Sequence, residues 1–329
     1  MHVDLIDIGA DTPGQYNILR VINFEGSGHG PNVYLQAALH AQEMPGVAAL
    51  DQLILKLQTA EQNERLVSKI TVVPLANPIG LSQAIFGASL GRFDMNSRTN
   101  FNRNFPHELP QNLENSTVVE KLKATLLELA TKADIVLDLH CDDEGPVYLY
   151  APDVMLKGAK VLSSALGADI ILTYKQGNTR TFDEAVYSHW SKAVGNGTPI
   201  DKLVSTIEFR GMMDVSQTYA TTDSFNLYEY LIAVGAVLDG QPQFKTNDPL
   251  IRDEALAELI PTPVSGAVLY CVDVGDQVSA GQCVAHILSE AGSPHYEILA
   301  PSNGIVVTRR DRRFLRKGED VLKVLRLED

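Results

Sequence analysis

VYLQAALHAQE, residues 33–43, is an apolar run that ends in a histidine and a glutamate three positions apart. The run predicts a buried strand, and a tight turn after a strand can bring residues i and i+3 to one ion. A second apolar run ends in Asp138-Leu139-His140. His40, Glu43 and His140 are therefore the predicted ligands of one zinc ion. Three protein ligands leave one coordination position open, which is typical of a catalytic site.

The HxxE pattern by itself is weak, because strand-end histidines are often only hydrogen-bonded. The distant strand-end histidine makes the set more specific. No His-Glu-x-x-His motif occurs, so the helical zinc-protease arrangement is excluded. Asp138 lies two residues before His140 on the same strand face and is predicted to orient it, although a capping aspartate is the alternative.

Around these motifs, apolar runs alternate with helical patterns. Strands are predicted at residues 3–8, 17–23, 33–40, 69–76, 133–139, 146–151 and 202–209, and helices from residue 45 and at 118–129, 153–166, 181–194 and 224–238. The alternation predicts an α/β domain with a mixed, mostly parallel sheet flanked by helices. Ligands of such sheets bind outside the carboxyl ends of the strands, where His40 and His140 are expected.

The chain changes character after a polar, proline-punctuated segment at residues 240–249, and we place a domain boundary between residues 245 and 246. Two glycine-turned units about 38 residues apart follow, PVSG (263–266) with GDQV (275–278) and PSNG (301–304) with GEDV (318–321). They predict a small all-β domain resembling the lipoyl/biotinyl half-barrel. The basic residues 309–313 are interpreted as a solvated hairpin rather than an anion-attracting rim.

The composition restricts the classes of molecule that the chain is expected to bind. The 329 residues carry 27 basic and 41 acidic side chains, net −14, so the chain lacks the basic field that nucleic acid or an anionic membrane requires. The first residues lack the pattern of a secretory signal, and three cysteines without CxxC spacing fit a reducing cytoplasm. No nucleic acid and no membrane are expected as partners, and a homo-oligomer remains open.

Two further segments carry groups that a hydrolase needs. Glu208 lies near the end of the strand at 202–209 and is the best candidate for a general base, an ordinary pairing with Arg210 being the alternative. Residues 91–106 contain three arginines and four asparagines, donors that suit a substrate carboxylate and a developing oxyanion. A solvated polar loop is the alternative for this segment.

HAQE (40–43), NRNFP (102–106), DLH (138–140) and TIEFRG (206–211) occur in the order and approximate spacing of a known family. The chain resembles the succinylglutamate desuccinylase/aspartoacylase family of the zinc carboxypeptidase superfamily over about residues 30–240. The appended β-domain also resembles that family's C-terminal domain. The resemblance implies a zinc-carboxypeptidase-like catalytic domain with one zinc ion per chain.

The resemblance also implies roles for individual residues. Glu208 matches the glutamate that activates the zinc-bound water and then protonates the leaving amine. Asn102 and Arg103 match the pair that holds the substrate carboxylate. Arg92 matches the arginine that polarises the scissile carbonyl, and Arg98 competes for that role. The family pattern has Asp-Leu or Asn-Leu before the Asn-Arg pair, whereas this chain has Asn100-Phe101, which bears on the pocket floor and on substrate identity.

The sequence thus predicts a zinc-dependent amidohydrolase that removes the acyl group from a small N-acyl amino acid. A zinc carboxypeptidase acting on short peptides is the alternative within enzymes, and capping by the C-terminal domain would favour the smaller substrates. A non-catalytic carrier module would need a modifiable lysine at the hairpin tip between the two β-units. Residues 283–300 contain no lysine, so covalent carriage is not expected.

Overall fold

The computed structural model describes residues 1–86, 88–89, 91–175, 180–194 and 201–328. The strands are β1 (His2–Asp7), β2 (Ile18–Phe24), β3 (Val33–Ala37), β4 (Ile70–Val73), β5 (Ala84–Ile85), β6 (Ala88–Ser89), β7 (Ile135–Asp142), β8 (Val147–Pro152), β9 (Ile170–Tyr174), β10 (Leu203–Gly211), β11 (Leu250–Asp253), β12 (Ala257–Pro261), β13 (Gly266–Tyr270), β14 (Gln277–Val278), β15 (Cys283–Leu288), β16 (Tyr296–Leu299), β17 (Gly304–Arg309), β18 (Phe314–Leu315) and β19 (Asp320–Arg326). The helices are α1 (Pro45–Gln62), α2 (Pro78–Leu81), α3 (Val118–Thr131), α4 (Leu156–Leu166), α5 (Phe182–Val194) and α6 (Gln217–Ala233), with 3₁₀ turns at Asp153–Met155 and Glu254–Leu256.

Within the described residues, a large mixed sheet has the strand order β1-β2-β4-β3-β7-β10-β8-β9-β11. The pairs β4/β3, β3/β7, β7/β10, β8/β9 and β9/β11 are parallel, and the other three are antiparallel. Helices α1 and α6 pack together and α6 contacts α4, while α3 packs on α5. The mixed, mostly parallel sheet flanked by helices is confirmed.

Local sequence explains the central elements. All five residues of β3 are buried, as expected for a parallel strand covered on both faces. Pro45 occupies the first turn of α1, where its missing N–H costs nothing, and Leu50, Leu53 and Leu57 form the buried face of this helix. Helix α3 begins with a capping box in which Thr117 and Glu120 satisfy each other's backbone N–H groups.

Several element boundaries differ from the expected ones. Strand β3 ends at Ala37, three residues before His40, whereas β7 continues through His140 to Asp142. Helix α6 begins seven residues earlier than predicted, because Ser216 caps it by accepting the N–H of Tyr219. Its first turns are polar and show no apolar periodicity, so the sequence pattern missed them.

Strands β9 and β11 were not predicted. Strand β11 follows the expected domain boundary at 245/246 in the chain and pairs in parallel with β9, so it belongs to the large sheet. The boundary itself stays a prediction. No helix of the described residues is both long and apolar enough to cross a membrane.

The C-terminal residues form a small all-β unit, as predicted. Two antiparallel sheets, β12-β19-β17-β14 and β16-β15-β13-β18, enclose a separate apolar core. Val268, Val284, Ile287, Val306 and Val324 are among its buried residues. This unit lies against the large sheet, and β17 and β19 carry side chains toward the carboxyl ends of β7 and β10.

Candidate active site

A turn after β3 places the first two predicted ligands. Ala38 has a φ of 56°, in the left-handed region, which turns the chain out of the strand. Buried Asn77 donates its Nδ2 to the carbonyl oxygen of Leu39 at 2.9 Å, and the N–H of Glu43 donates to the carbonyl oxygen of His40 at 3.0 Å. The turn therefore presents His40 and Glu43 to the same point.

The third predicted ligand arrives from the neighbouring strand. The Glu43 carboxylate lies 2.9 Å from Nδ1 of His40 through one oxygen and 2.7 Å from Nδ1 of His140 through the other. All three side chains are buried, and their ligand atoms lie within 4.8 Å of one another. The other ring nitrogen of each histidine is also hydrogen-bonded. Nε2 of His40 lies 2.9 Å from Oδ1 of Asn100, and Nε2 of His140 lies 2.9 Å from Oδ2 of Asp138.

This arrangement fits a zinc ion. Because an oxygen acceptor binds Nε2 of each imidazole, each Nδ1 faces the Glu43 carboxylate, as expected of histidines that ligate a metal. Burial tends to raise the pKa of Glu43, but His40 and His140 outweigh it and hold that pKa well below its ordinary value. For His140, burial lowers the pKa while Asp138 and Glu43 raise it more strongly. An ionised carboxylate and two converging imidazoles are the donors that zinc prefers, and binding would displace a proton from His140.

The loop after residue 90 brings Arg92 to the predicted ligands. The N–H of Ala41 donates to the carbonyl oxygen of Gly91 at 3.0 Å, and a Cβ on Gly91 would lie only 2.4 Å from that of Ala41. Only glycine permits this approach. Nη1 of Arg92 then lies 3.2 Å from Glu43 Oε1, whereas Arg98 is exposed and does not line the cavity.

Asn102 and Arg103 line the same cavity, and Asn102 lies beside His140. Asn102 Nδ2 is 3.5 Å from Nε2 of His140, and its Oδ1 accepts the N–H of Phe182 at 2.8 Å. The carbonyl of Arg103 accepts a 2.7 Å hydrogen bond from Lys123 of α3. Phe101 is fully buried in the core, so this departure from the family pattern does not face the cavity.

Glu208 lies on β10 directly opposite His140 in the parallel register. Burial and the neighbouring Asp142 raise the pKa of Glu208 to about 8, although His140 and Lys323 counteract them. Its Oε2 has no hydrogen-bond partner among the described residues. Arg210, the alternative partner, instead forms an ion pair with Asp223. The Glu208 carboxyl is thus available for proton transfer.

Seven of the predicted site residues line one cavity of about 390 Å³. It is lined by His40, Glu43, Arg92, Asn102, Arg103, His140 and Glu208. Its size suits a small molecule rather than a long polymer.

Residues 29–224 match the model of the succinylglutamate desuccinylase/aspartoacylase catalytic domain. The chain belongs to this family. Over 310 residues, covering 89% of this chain and 82% of the relative, it is 24% identical to the N-alpha-acetyl-L-2,4-diaminobutyric acid deacetylase of Halomonas elongata. The family and this relative identify the chain as an amide hydrolase.

Solved structures share the whole fold of this family member. A succinylglutamate desuccinylase/aspartoacylase family protein from Shewanella amazonensis superposes with a TM-score of 0.86 at 24% identity, covering 99% of this chain and 98% of the other. The product-bound ectoine utilization protein EutE (DoeB) from Ruegeria pomeroyi gives a TM-score of 0.75 at 19% identity, over 98% and 94% of the two chains. The second similarity extends over the C-terminal β-unit as well.

The C-terminal unit also lines the cavity, in line with the capping considered from the sequence, but the residues through which it does so were not identified there. Arg309 pairs with Glu144 at 3.0 Å and Arg310 with Asp143 at 3.0 Å, and both arginines line the cavity. The interpretation of residues 309–313 as a solvated hairpin is therefore wrong for these two arginines. Their acidic partners directly follow β7 of the large sheet, and no local sequence pattern near residue 309 reveals these long-range ion pairs.

Lys323 of β19 is a further residue that the sequence analysis did not identify. Its Nζ lies 3.0 Å from the hydroxyl of Tyr148 and 3.4 Å from Asp142, and it lines the cavity close to Glu208. Burial tends to lower the pKa of Lys323, but Asp142, Tyr150 and Glu208 together outweigh it and raise that pKa above its ordinary value. A lysine among the apolar residues of DVLKVLR (320–326) is the sequence signal that could have identified it.

An acidic wall, formed by Asp183, Glu184 and Glu254, lines the same cavity. Burial, with Asp183 and Glu184, raises the pKa of Glu254 to about 7, and Arg103 acts against this shift. The wall therefore interacts electrostatically with Arg103, one of the two residues predicted to hold the substrate carboxylate.

Proposed function

We propose that the chain is a zinc-dependent deacylase that hydrolyses the amide bond of a small N-acyl amino acid. The observation that carries the proposal is the convergence of His40, Glu43 and His140 with Glu208 in one cavity of about 390 Å³. A relative named as a deacetylase supports it. A carboxypeptidase acting on short peptides is the alternative, and the C-terminal residues that line the cavity favour the smaller substrate.

His40, Glu43 and His140 would hold the ion. When bound, zinc would supply Lewis-acid polarisation of the carbonyl and would lower the pKa of a coordinated water. Glu208 takes a proton from the attacking water and returns it to the departing amine, and its raised pKa suits both transfers near neutral pH. Arg92 donates to the carbonyl oxygen as negative charge develops there.

Asn102 and Arg103 hold the substrate carboxylate. A planar guanidinium beside an amide provides directed donors for the two carboxylate oxygens. This contact fixes the amino acid portion of the substrate, so that the acyl carbonyl lies toward Arg92 and the three proposed ligands.

The acidic wall narrows the substrate class. The pKa of Glu254 is raised to about 7 by burial and, to a smaller extent, by its acidic neighbours, and an approaching cation would stabilise the ionised carboxylates of this wall. Together with the name of the Halomonas relative, this favours an acylated amino acid with a second, cationic amino group over one with an acidic side chain.

The test is a substrate panel on the zinc-loaded full-length chain. It contains Nα-acetyl-2,4-diaminobutyrate, N-acetylaspartate, N-succinylglutamate and short unblocked peptides, with release of the free amine as the readout. We expect the first compound to give the highest kcat/KM. His140→Ala should abolish turnover together with zinc binding at this site, while His189→Ala serves as the histidine control.

Glu254→Gln tests the acidic wall separately. This variant should lower the preference for the diaminobutyrate substrate over N-acetylaspartate. Efficient cleavage of peptides without cleavage of N-acyl amino acids would instead establish the carboxypeptidase alternative. An unchanged preference in Glu254→Gln would contradict the cationic substrate class and leave the deacylase proposal standing.

A further inference from the structure

Two of the three cysteines meet a histidine on the C-terminal β-unit, away from the cavity. Cys271, Cys283 and His286 present ligand atoms that lie within 4.8 Å of one another. None of the three lines the catalytic cavity. His295 lies beside them, with its ring centroid 6.0 Å from that of His286.

A bulge in β15 creates this group. In a regular strand, residues 283 and 286 would point to opposite faces of the sheet. The pairing of β15 with β16 shifts register between Cys283 and Ala285, and Val284 and Ala285 are consecutively buried. The irregularity turns Cys283 and His286 to the same face, as bulges commonly re-aim side chains.

Cys271 reaches the group from the adjacent strand. It directly follows β13, and its N–H donates to the carbonyl oxygen of Val284 at 3.0 Å, within the bulge. Cys271 is exposed and Cys283 half-buried, and both are free thiols. An ion can therefore reach the sulfur atoms from solvent.

The spacing suits a tetrahedral ion. With metal–sulfur and metal–nitrogen bonds of about 2.3 and 2.0–2.1 Å, a tetrahedral centre holds its sulfur and nitrogen ligands about 3.6 Å apart. Sγ of Cys283 lies 3.7 Å from Nε2 of His286. Nδ1 of His286 is buried and has no hydrogen-bond partner among the described residues.

We propose that Cys271, Cys283 and His286 bind a thiophilic divalent ion, zinc or its cobalt and cadmium analogues, at a second site separate from the catalytic centre. Two thiolates and an imidazole favour such ions over calcium or magnesium. The fourth position is open to His295 or water. The ion would join β13 to β15 at the bulge. The expectation of one zinc per chain counted only the catalytic set, and this site adds a second ion.

Cobalt provides a test that does not depend on activity. The metal-free, fully reduced full-length chain is titrated with Co²⁺, and the sulfur-to-cobalt charge-transfer absorption is recorded. The catalytic set contains no sulfur ligand, so this absorption reports the second site. Cys271→Ser and Cys283→Ser should each abolish it, remove one equivalent of bound metal and leave deacylase activity unchanged, because neither residue lines the cavity.

Two matched variants exclude the catalytic centre as the source of the signal. His140→Ala should retain the charge-transfer absorption, and so should Cys141→Ala, which removes the buried thiol next to His140. His286→Ala should weaken cobalt binding by more than the roughly 10- to 100-fold that loss of an outer contact costs. Absence of the absorption in the reduced wild type would overturn the proposal, as would its loss only in Cys141→Ala. Formation of a Cys271–Cys283 disulfide with no metal uptake after reduction would also overturn it.

Discussion

At the scale of single residues, Glu208 is the proposed general base, and its half-buried carboxyl lines the cavity beside the proposed zinc ligands. Replacement of Glu208 by glutamine keeps the shape of the side chain, but the amide of glutamine cannot accept a proton from water. Glu208→Gln should retain zinc and lose about 10²- to 10⁴-fold in kcat. Metal analysis and steady-state kinetics check this, with exposed Glu128→Gln as control. Near-normal turnover would move the base role to another residue.

The same carboxyl predicts a pH effect on the metal-free protein. Its pKa of about 8 lies above the ordinary value of 4.5, so between these pH values the folded state binds more protons than the unfolded state. Stability therefore falls as pH rises through this window. Metal-free Glu208→Gln should exceed the wild type by about 2–4 kcal/mol at pH 8 and match it near pH 4. Urea unfolding at both pH values measures this, and a pH-independent difference would contradict it.

Arg103 is the residue to which we assign recognition of the substrate carboxylate. Losing a charge-assisted contact of this kind costs about 2–4 kcal/mol, or roughly 30- to 1000-fold in kcat/KM. Arg103→Ala should show this loss on free-carboxylate substrates and much less on amide-capped analogues. Arg98→Ala, in the same loop but outside the cavity, is the control. Equal cleavage of capped and free substrates by the wild type would show that the clamp assignment is wrong.

At the scale of elements, helix α3 holds the backbone around Asn102 and Arg103, the residues proposed to bind the substrate carboxylate. Buried Lys123 donates to the carbonyl oxygens of Arg103 at 2.7 Å and Asn100 at 3.3 Å. Lys123→Met should therefore destabilise the fold by about 2–3 kcal/mol and raise KM for carboxylate substrates while zinc content stays unchanged. Lys132→Met, exposed at the end of the same helix, should do neither. Loss of stability with an unaltered KM would limit Lys123 to a structural role.

At the scale of the whole molecule, the C-terminal unit contributes charge to the cavity. Lys323 lowers the pKa of Glu208, so removing its charge should raise that pKa. In Lys323→Met, the acidic limb of the kcat/KM profile should move to higher pH by roughly one unit, because Glu208 must be ionised to act as base. Stability should fall by about 1–3 kcal/mol, since the partly exposed Asp142 loses a charged partner but keeps its hydrogen bond from Tyr148. Exposed Lys317→Met is the control, and an unmoved limb would contradict this electrostatic link.

The sequence by itself determined the class of the fold and the predicted ligand set. A strand, a tight turn and a spacing of three residues are local features, so His40 and Glu43 could be paired from their spacing, and the strand ending in Asp138-Leu139-His140 supplied the third member. The alternation of apolar runs with helical patterns is also a local feature, so it predicted the mixed sheet flanked by helices. The start of helix α6 was not predicted, because the cap at Ser216 is a local contact that adds no apolar periodicity to the sequence.

Only the tertiary structure decided which distant side chains complete the cavity. Arg92 and Arg98 occupy one polar loop, and the close approach of Gly91 to Ala41 brings the first to Glu43 and leaves the second in solvent. Lys323 reaches Asp142 across 181 positions of the chain. Such contacts depend on how the large sheet and the C-terminal sheets pack against each other, which is not encoded in the spacing of neighbouring residues.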